Sequence, residues 1–373
     1  MKLFIHRDNF LNALQIVQRA VKNSLTNSGG IFFQAKKNQL TLIASDPDLF
    51  IRCQTEAQIE QEGSILLPAR YITDFAKRLP NTLLQIESNL ENTQLKIQYG
   101  NSEFNINAYN AESFPEFVLP EAVFSFEIEA EKLKDIFKQV LFAASNDISQ
   151  PVFTGVLLEI EDNLLTAVTT DSYRMAIRKS ILDFAAPEKI KIIIPAKTIS
   201  EFIRTSDFKK QIQVTIGARH LVLASEKTIF IIRLIAGKYP SYQQVIPKEF
   251  SAQAVLNRNE FLDSAERVAL LAGERKSNVQ LNLNQVGLTL TIRAESGWIR
   301  EELETEFSGQ DLEIGYNVKF LSDILRVLES EKIYLKLSGS YSPSVFQALE
   351  EAEKEQFLAI LVPVKINKAV PNA

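Results

Sequence analysis

The chain has 373 residues, more than one hydrophobic core supports, because single cores stop growing at roughly 250–300 residues. Hydrophobic residues make up 46% of it, so we predict a folded protein of two or three domains and exclude a disordered one. No apolar run approaches the roughly 20 residues that span a bilayer, and the N-terminus lacks the apolar stretch of a signal peptide. The single cysteine, Cys53, excludes an intrachain disulfide. We therefore expect a cytoplasmic protein in which Cys53 is a buried strand residue.

The chain is poor in the side chains that catalysis needs. Its two histidines, His6 and His220, fall on predicted strands, where a structural role is commoner than general-base catalysis. No Cys/His cluster offers a zinc site, and no Gly-rich loop offers a phosphate site. Adjacent acids such as Glu301 and Glu302 are more typical of a solvated face than of an acid–base pair. We therefore predict a protein that is not an enzyme and needs no metal or other cofactor.

A pair of helices recurs three times along the chain. In the first helix of each copy, apolar residues recur at the spacing of one buried face. These residues are Phe10, Leu14 and Val17, then Leu133, Phe137 and Val140, and finally Phe261, Ala265 and Val268. The second helix, at residues 72–77, 199–204 and 321–326, has the order apolar, hydroxyl, acid, apolar, any residue, base. Pro68 and Pro195 suit the first helical turn in two copies, and Asn317 suits the N-cap in the third.

Strand-like segments lie between the two helices of each copy, at residues 40–42, 165–167 and 288–290. Alternation of apolar and polar residues at 212–216, followed by the segment 221–223, predicts further strands with one buried face. Three elements that recur in the same order, roughly 120–130 residues apart, are hard to obtain by chance. We therefore predict an α+β protein of three tandem domains, residues 1–122, 123–250 and 251–373, each with two helices packed on antiparallel sheets.

The net charge of −5 is unusual for a protein that binds DNA, but it does not say where the charges lie. Basic residues recur on the predicted solvent faces of the repeated helices: Arg19, Lys22, Arg70, Lys77, Lys134, Lys138, Lys197, Arg204, Arg267, Lys319 and Arg326. Any exposed helix carries lysines, but Lys77, Arg204 and Arg326 also occupy matching positions of the repeated motif. If the helices of all copies line one surface, that surface would bind phosphates without reading bases.

Four segments of the chain resemble those of one family. They are Leu67-Pro68-Ala69-Arg70, Thr170-Asp171-Ser172-Tyr173-Arg174-Met175, Tyr239-Pro240-Ser241-Tyr242 and Leu361-Val362-Pro363-Val364-Lys365. With these segments and three tandem domains, residues 1–366 resemble the bacterial DNA polymerase III beta subunit. The resemblance implies DNA-clamp domains that assemble head to tail as a homodimer, a closed ring of six domains with helices lining the hole. Such a sliding clamp encircles duplex DNA and tethers the replicative polymerase, the clamp loader and repair proteins.

The resemblance also implies three sets of site residues. Short peptide motifs of the partner proteins would bind a pocket with apolar walls for Leu and Phe anchors. Its residues would be Phe153, Thr170, Ser172, Tyr173, Arg174, Met175, Pro240, Gln244, Val245, Leu361, Val362, Pro363, Val364, Lys365 and Ile366. The DNA contacts would be Lys22, Arg70, Asn146, Gln150 and Lys197. The seam between subunits would pair Phe104 and Ile106 with Leu270 and Leu271.

The chain departs from the family pattern at several of these places. Residues 26–28 are Thr-Asn-Ser where Pro-Ile-Leu is frequent, and Tyr173 and Gln244 replace a frequent histidine and arginine. Val362 and Val364 replace flexible methionines, which narrows the range of peptides expected to bind. Tyr71 and Glu103 stand where bases could face the acidic segment 301–306. The tail 367–373 extends past the usual end, and we expect it to be disordered.

Two other hypotheses fit parts of the pattern. A DNA-processing enzyme on a repeated scaffold would need a nucleophile, a metal cluster or a phosphate loop. A monomeric scaffold that binds peptides and no DNA would need the bases of the helix faces to be incidental. A third possibility concerns only the pocket: its residues could be plain core at the junction of the second and third domains.

Overall fold

A computed structural model of the chain describes residues 1–21, 29–89, 91, 93–110, 114, 118–273, 278–351 and 356–366. Three of the predictions made from the sequence concern residues outside the described ranges: Lys22, the segment 26–28 and the tail 367–373. The chain divides into two compact units, Met1–Lys134 with Lys197–Leu234, and Asp135–Ala196 with Ile235–Ala373. The division between the units therefore passes through the predicted central segment 123–250.

Six α-helices lie in the described ranges. They are α1 (Arg7–Val17), α2 (Ala69–Arg78), α3 (Ala130–Leu141), α4 (Ala196–Ile203), α5 (Arg258–Ala269) and α6 (Val318–Val327). The odd-numbered helices are the predicted first helices of the three copies, and Phe10, Phe137 and Phe261 on them are fully buried, as predicted. The even-numbered helices contain the repeated motif, except that Arg204, the base of its second copy, follows the last residue of α4. None of these described helices combines the length and the apolar character that a membrane crossing requires.

Two antiparallel sheets build the first unit. One has five strands in the order β5 (Gln58–Gln61), β1 (Lys2–His6), β7 (Leu83–Ser88), β8 (Gln94–Tyr99) and β9 (Ser102–Asn107). The other has eight strands in the order β10 (Phe124–Glu129), β15 (Gln211–Ile216), β16 (His220–Ala224), β17 (Thr228–Arg233), β4 (Leu49–Glu56), β3 (Gln39–Ser45), β2 (Gly30–Lys36) and β6 (Gly63–Pro68). Helix α1 packs on β3 and β4, and the ring of its Phe10 lies 6.1 Å from that of Phe33 on β2.

The second unit also has two antiparallel sheets. One has nine strands in the order β14 (Ile190–Pro195), β11 (Gly155–Glu161), β12 (Leu164–Thr170), β13 (Arg174–Ile181), β26 (Phe357–Leu361), β25 (Ser344–Ala348), β24 (Lys332–Leu337), β18 (Ala252–Asn257) and β22 (Glu306–Gly309). The other has four strands in the order β21 (Gly297–Leu303), β20 (Gly287–Ala294), β19 (Asn278–Asn284) and β23 (Leu312–Asn317). Helix α5 packs on β20 and β21. The antiparallel strands predicted between and after the helices are thereby confirmed.

The predicted helix starts are confirmed at one position and shifted at two. Asn317 caps α6, because its side-chain oxygen accepts hydrogen bonds from the N–H groups of Lys319 and Phe320 at 3.0 and 3.4 Å. Pro68 and Pro195 instead end strands β6 and β14, one residue before α2 and α4 begin. A proline in that place stops the strand and leaves the first helical turn to the next residues.

The acid and the base of the repeated motif pair with each other in every copy. The three ion pairs, each between residues i and i+3, are Asp74–Lys77 at 3.2 Å, Glu201–Arg204 at 3.4 Å and Asp323–Arg326 at 3.1 Å. Lys77, Arg204 and Arg326, the bases at matching positions of the motif, are therefore each partly neutralised by the acid three residues before them.

Two predictions about single residues have opposite outcomes. Cys53 is buried on β4 as predicted, and burial raises the pKa of its thiol to about 11. Lys134 was predicted on a solvent face, and that prediction was wrong. Its side chain is buried, its Nζ donates to the carbonyl of Phe208 at 2.6 Å, and it pairs with Glu131. The long apolar stem of lysine fills the interior while the ammonium reaches these two oxygens.

Candidate functional site

The predicted pocket segments meet in the second unit, where β13 lies beside β26. The strand register places Met175 opposite Ile360. Both belong to a buried apolar cluster against which Phe153 packs. The ring of Phe153 meets that of Tyr239 edge to face, with 5.9 Å between their centroids. Residues that are distant in the sequence thus form one apolar floor.

A tight turn precedes β13 at one side of this floor. The Thr170 hydroxyl donates to the Arg174 carbonyl at 2.7 Å and accepts from the N–H of Ser172 at 3.1 Å. Asp171 Oδ1 accepts from the N–H groups of Tyr173 and Arg174, each at 3.0 Å. Ser172 has φ +75°, in the left-handed region. These bonds hold the turn in one shape and leave the side chains of Ser172 and Tyr173 exposed.

The guanidinium of Arg174 is turned toward α6. Its Nε donates to Asp171 at 3.0 Å, and its Nη1 donates to Asp323 at 2.6 Å. The guanidinium carbon lies 4.2 Å from the centroid of the Phe320 ring, and the side chain is only 11% exposed. Arg174 therefore fastens the turn to α6 through two ion pairs and a cation–π contact.

The short 3₁₀ helix Tyr242–Val245 carries two of the predicted pocket residues. Its first residue, Tyr242, is buried in the apolar cluster, and the hydroxyl donates to Glu159 at 2.6 Å. Burial and the neighbouring carboxylate raise the pKa of Tyr242, so the hydroxyl keeps its proton. The other end of the helix is accessible, because Gln244 is exposed and Val245 is 44% exposed.

The C-terminal segment 362–366 is held by backbone hydrogen bonds. The N–H of Val362 donates to the carbonyl of Tyr173 at 2.9 Å, and that of Val364 donates to the carbonyl of Gly315 at 2.8 Å. A β-carbon on Gly315 would stand 2.8 Å from the Val364 carbonyl oxygen and 2.7 Å from Ile366. Glycine at 315 is therefore what lets this segment lie against β23.

The fifteen predicted pocket residues all belong to the second unit. Thr170, Met175 and Leu361 are buried, and Phe153, Arg174, Val362, Pro363, Val364 and Ile366 are partly buried. Ser172, Tyr173, Pro240, Gln244, Val245 and Lys365 are exposed. A plain core would bury all of them, whereas this set has a buried floor and an accessible rim.

Sequence reasoning missed three residues that hold this region together: Phe320, Asp323 and Glu159. Asp323 is the acid in the third copy of the repeated motif. The acids in the other two copies, Asp74 and Glu201, gave no indication that Asp323 would also pair with Arg174. Glu159 offered a signal, because it is a single acid within the apolar run of β11. A charge in such a strand needs a buried partner, and that partner is Tyr242.

The residues predicted to contact DNA are divided between the two units. Arg70 and Lys197 belong to the first unit and are exposed at the second position of α2 and α4. Asn146 and Gln150 belong to the second unit and are exposed in the loop before the 3₁₀ helix Pro151–Thr154. Asp147 shapes that loop, since its Oδ1 accepts from the N–H of Ser149 at 2.9 Å.

The residues predicted at the seam lie at two sheet ends. In the first unit, β9 ends its sheet, and its Phe104 stacks on Phe75 with 3.7 Å between ring centroids, while Ile106 is buried. In the second unit, β21 ends its sheet, Leu270 after α5 is 81% exposed, and Leu271 is partly buried. Each unit therefore has an end strand, β9 or β21, with no further strand paired to it among the described residues and with apolar side chains near it.

The charges beside both edges are paired within their own units. The ion pairs are Lys96–Glu103 at 2.6 Å in the first unit, and Arg267–Glu301 at 2.6 Å, Arg300–Glu302 at 2.7 Å and Lys332–Glu306 at 2.9 Å in the second. The hydrogen bonds from Arg267 hold the pKa of Glu301 below its usual range. Three of the four acids in the segment 301–306 are therefore paired with bases of the same unit.

Comparison with known proteins identifies the family. Family models of the DNA polymerase III beta subunit match the chain in three consecutive parts: the N-terminal domain at residues 1–119, the central domain at 127–241 and the C-terminal domain at 243–365. The beta sliding clamp of Halalkalibacterium halodurans is 31% identical, and that of Bacillus subtilis is 28% identical. Each alignment covers 98% of this chain and 100% of the relative.

Solved structures give the same result. The DNA polymerase sliding clamp of Bacillus subtilis superposes with a TM-score of 0.92 at 27% identity. The Pseudomonas aeruginosa sliding clamp bound to griselimycin superposes with a TM-score of 0.92 at 25% identity. Each comparison covers 98% of this chain and all of the other. The chain therefore belongs to the bacterial DNA polymerase III beta subunit family, the non-catalytic sliding clamps of DNA replication.

Proposed function

We propose that two copies of this chain close head to tail into a ring around duplex DNA, in the bacterial cytoplasm, and tether polymerases and other DNA-processing proteins there. The observation that carries the tethering role is the joining of the Thr170–Arg174 turn to the segment 362–366 above one apolar floor. A ring cannot leave a duplex without opening, so weak phosphate contacts suffice and still allow sliding. The segments 1–122, 123–250 and 251–373 would each supply one of the three domains per subunit.

The pocket would take a short peptide by its apolar anchors. Phe153 and Met175 form the floor, and Val245 at the rim presents an apolar side chain to solvent. Val362 and Val364 already use their N–H groups within the chain, so the peptide would meet their side chains. Apolar walls with a few polar groups that fix orientation are the usual composition of such sites. Leu and Phe anchors of a partner peptide fit this composition.

Basic side chains at helix starts would hold the DNA. Arg70, Lys197 and Lys319 each occupy the second position of α2, α4 and α6, and all three are exposed. None has an ion-pair partner within the part of the chain that the structure describes. A cation in the first turn opposes the helix dipole, so its recurrence in three helices favours a role with an anionic ligand. Asn146 and Gln150 would add polar contacts, and Lys22 would add a further base.

The seam would join β9 of one subunit to β21 of the other. Both strands end their sheets, so each could pair with a strand of another subunit. Leu270 is 81% exposed, and the seam would bury its apolar side chain. Phe104, Ile106 and Leu271 would complete the contact. Two identical head-to-tail seams close a ring when the rotation per subunit is half a turn.

Two truncations test the pocket. Ending the chain after Leu361 removes the segment 362–366 and should abolish binding of a fluorescein-labelled synthetic peptide with Leu and Phe anchors, while sedimentation velocity still shows a dimer. Ending it after Ile366 removes only the tail and should leave both properties unchanged. Peptide binding that survives the first truncation would refute this pocket. Loss of the dimer would instead support a role of these residues as core.

Gly315→Ala gives an independent test that substitutes none of the pocket residues. The added methyl group would meet the Val364 carbonyl and Ile366, so the segment 362–366 must move. We expect peptide affinity to fall and the dimer to persist. Unchanged affinity would contradict the contribution of this segment to the pocket.

A further inference from the structure

We propose that Glu159 is a positioning residue of the peptide pocket, which acts through Tyr242 to hold the 3₁₀ helix Tyr242–Val245 in its peptide-binding place. The inference rests on the proposed function of the pocket. It assigns a role to a buried carboxylate that no predicted site contains.

Glu159 lies inside the nine-stranded sheet. On β11 it is in register with Thr166 of β12 and Lys191 of β14. The residue is only 6% exposed. One carboxylate oxygen accepts from the Tyr242 hydroxyl at 2.6 Å, and the other forms an ion pair with Lys191. A buried carboxylate is costly unless its charge is compensated. Here one oxygen has the hydrogen bond from Tyr242, and the other has the ion pair with Lys191 but no hydrogen bond.

Tyr242 connects this carboxylate to the rim of the pocket. Its ring packs in the same apolar cluster as Met175 and Tyr239, and its hydroxyl extends to Glu159. Three residues later, Val245 is 44% exposed at the other end of the same helix. A four-residue 3₁₀ helix has few hydrogen bonds of its own, so its place depends on its anchor. Movement of Tyr242 would therefore move Gln244 and Val245.

The hydrogen bond between Tyr242 and Glu159 fixes the orientation of the 3₁₀ helix more narrowly than apolar packing alone would. Phenylalanine at 242 and leucine at 159 would fill nearly the same space and avoid the cost of burying a charge. A hydrogen bond has a preferred length and angle, whereas apolar packing tolerates several orientations of a short helix. Binding sites that must hold a rim within a fraction of an ångström use such supporting hydrogen bonds.

The test compares variants that keep or remove this bond. Tyr242→Phe and Glu159→Leu remove it. Glu159→Gln keeps it, because the amide oxygen can still accept from Tyr242. Lys191→Met is the matched control, since it removes the other partner of Glu159 and leaves the bond to Tyr242. Each variant is measured in the full-length protein for affinity toward the labelled Leu/Phe peptide, for Tm, and for hydrogen exchange of residues 240–246.

We expect the two bond-removing variants to bind the peptide with about tenfold lower affinity, which corresponds to about 1.4 kcal/mol of binding free energy. Hydrogen exchange of residues 240–246 should also be faster in these variants. Glu159→Gln and Lys191→Met should stay within about twofold of the unchanged chain, a difference of less than about 0.5 kcal/mol. Unchanged affinity in Tyr242→Phe would overturn the positioning role. Failure of the unchanged chain to bind the peptide would instead refute the proposed function of the pocket.

A double variant separates positioning from stability. Combining Tyr242→Phe with Glu159→Leu removes both polar ends of the bond, which restores Tm because neither end is left buried without its partner. The peptide affinity should remain as low as in the single variants, since the helix still lacks its directional anchor. If affinity recovers together with Tm, the bond only stabilises the fold and the inference is wrong.

Discussion

Arg174→Ala tests how the pocket turn is held. The substitution breaks the ion pairs with Asp171 at 3.0 Å and with Asp323 at 2.6 Å, and it removes the guanidinium from the face of Phe320. Asp171, whose side chain is 14% exposed, would be left without a cation. Breaking a buried pair costs about 3–5 kcal/mol, and we take about 3 kcal/mol because Asp323 is partly exposed and keeps Arg326.

Arg326→Ala is the matched control. Arg326 also pairs with Asp323, at 3.1 Å, but its side chain is 53% exposed, so its removal should cost less than about 1 kcal/mol. In a unit of about 200 residues, 1 kcal/mol corresponds to about 2–4 °C in Tm. Calorimetry should therefore show a fall of about 6–12 °C for Arg174→Ala and less than about 4 °C for Arg326→Ala. Equal decreases in Tm for the two variants would refute the conclusion that Arg174 holds the turn against α6.

Three further predictions concern the DNA contacts, the seam and the acidic segment. Lys197→Ala should lower the slope of log affinity against log salt by about 0.9 per lost phosphate contact in anisotropy titrations with duplex DNA, whereas Lys336→Ala, which removes a base that lies over the Phe250 ring, should not. Leu270→Asp should dissociate the dimer in sedimentation velocity, and Val286→Asp, at a position that is 95% exposed, should not; a persistent Leu270→Asp dimer would refute the seam. Glu301→Gln should lower Tm near pH 7 and have no effect well below the folded pKa. The folded pKa of Glu301 is depressed by Arg267, so its stabilisation is present above the unfolded pKa and is lost as pH falls through the folded one. A Tm difference that does not depend on pH would contradict this.

The repeated helices and their buried faces could be predicted from the sequence alone. Apolar spacing at Phe10, Phe137 and Phe261 predicted the buried helix faces, because helix periodicity is a local property. Asn317 could be predicted as a cap for the same reason. Pro68 and Pro195 were each misplaced by one residue, since a proline suits both the end of a strand and the start of a helix.

Interactions between distant residues could not be predicted. Arg174 and Asp323 are 149 positions apart, so nothing local indicated that the arginine would turn toward α6. Lys134 was placed on a solvent face because the carbonyl that receives it belongs to Phe208, 74 positions away. Two ion pairs of the segment 301–306 likewise join distant elements, Glu301 on β21 to Arg267 on α5 and Glu306 on β22 to Lys332 on β24. Charges in a sequence therefore locate the acids and bases but not their partners.

Retention on circular and on linear DNA distinguishes a closed ring from a protein held on DNA by charge alone. The protein is loaded by the clamp loader and ATP onto nicked circular DNA, and half of the sample is then linearised at a single site. A ring held by topology should stay on the circle and slide off the linear ends, at salt concentrations that abolish phosphate contacts. Equal loss from the two forms would contradict a closed ring around the duplex.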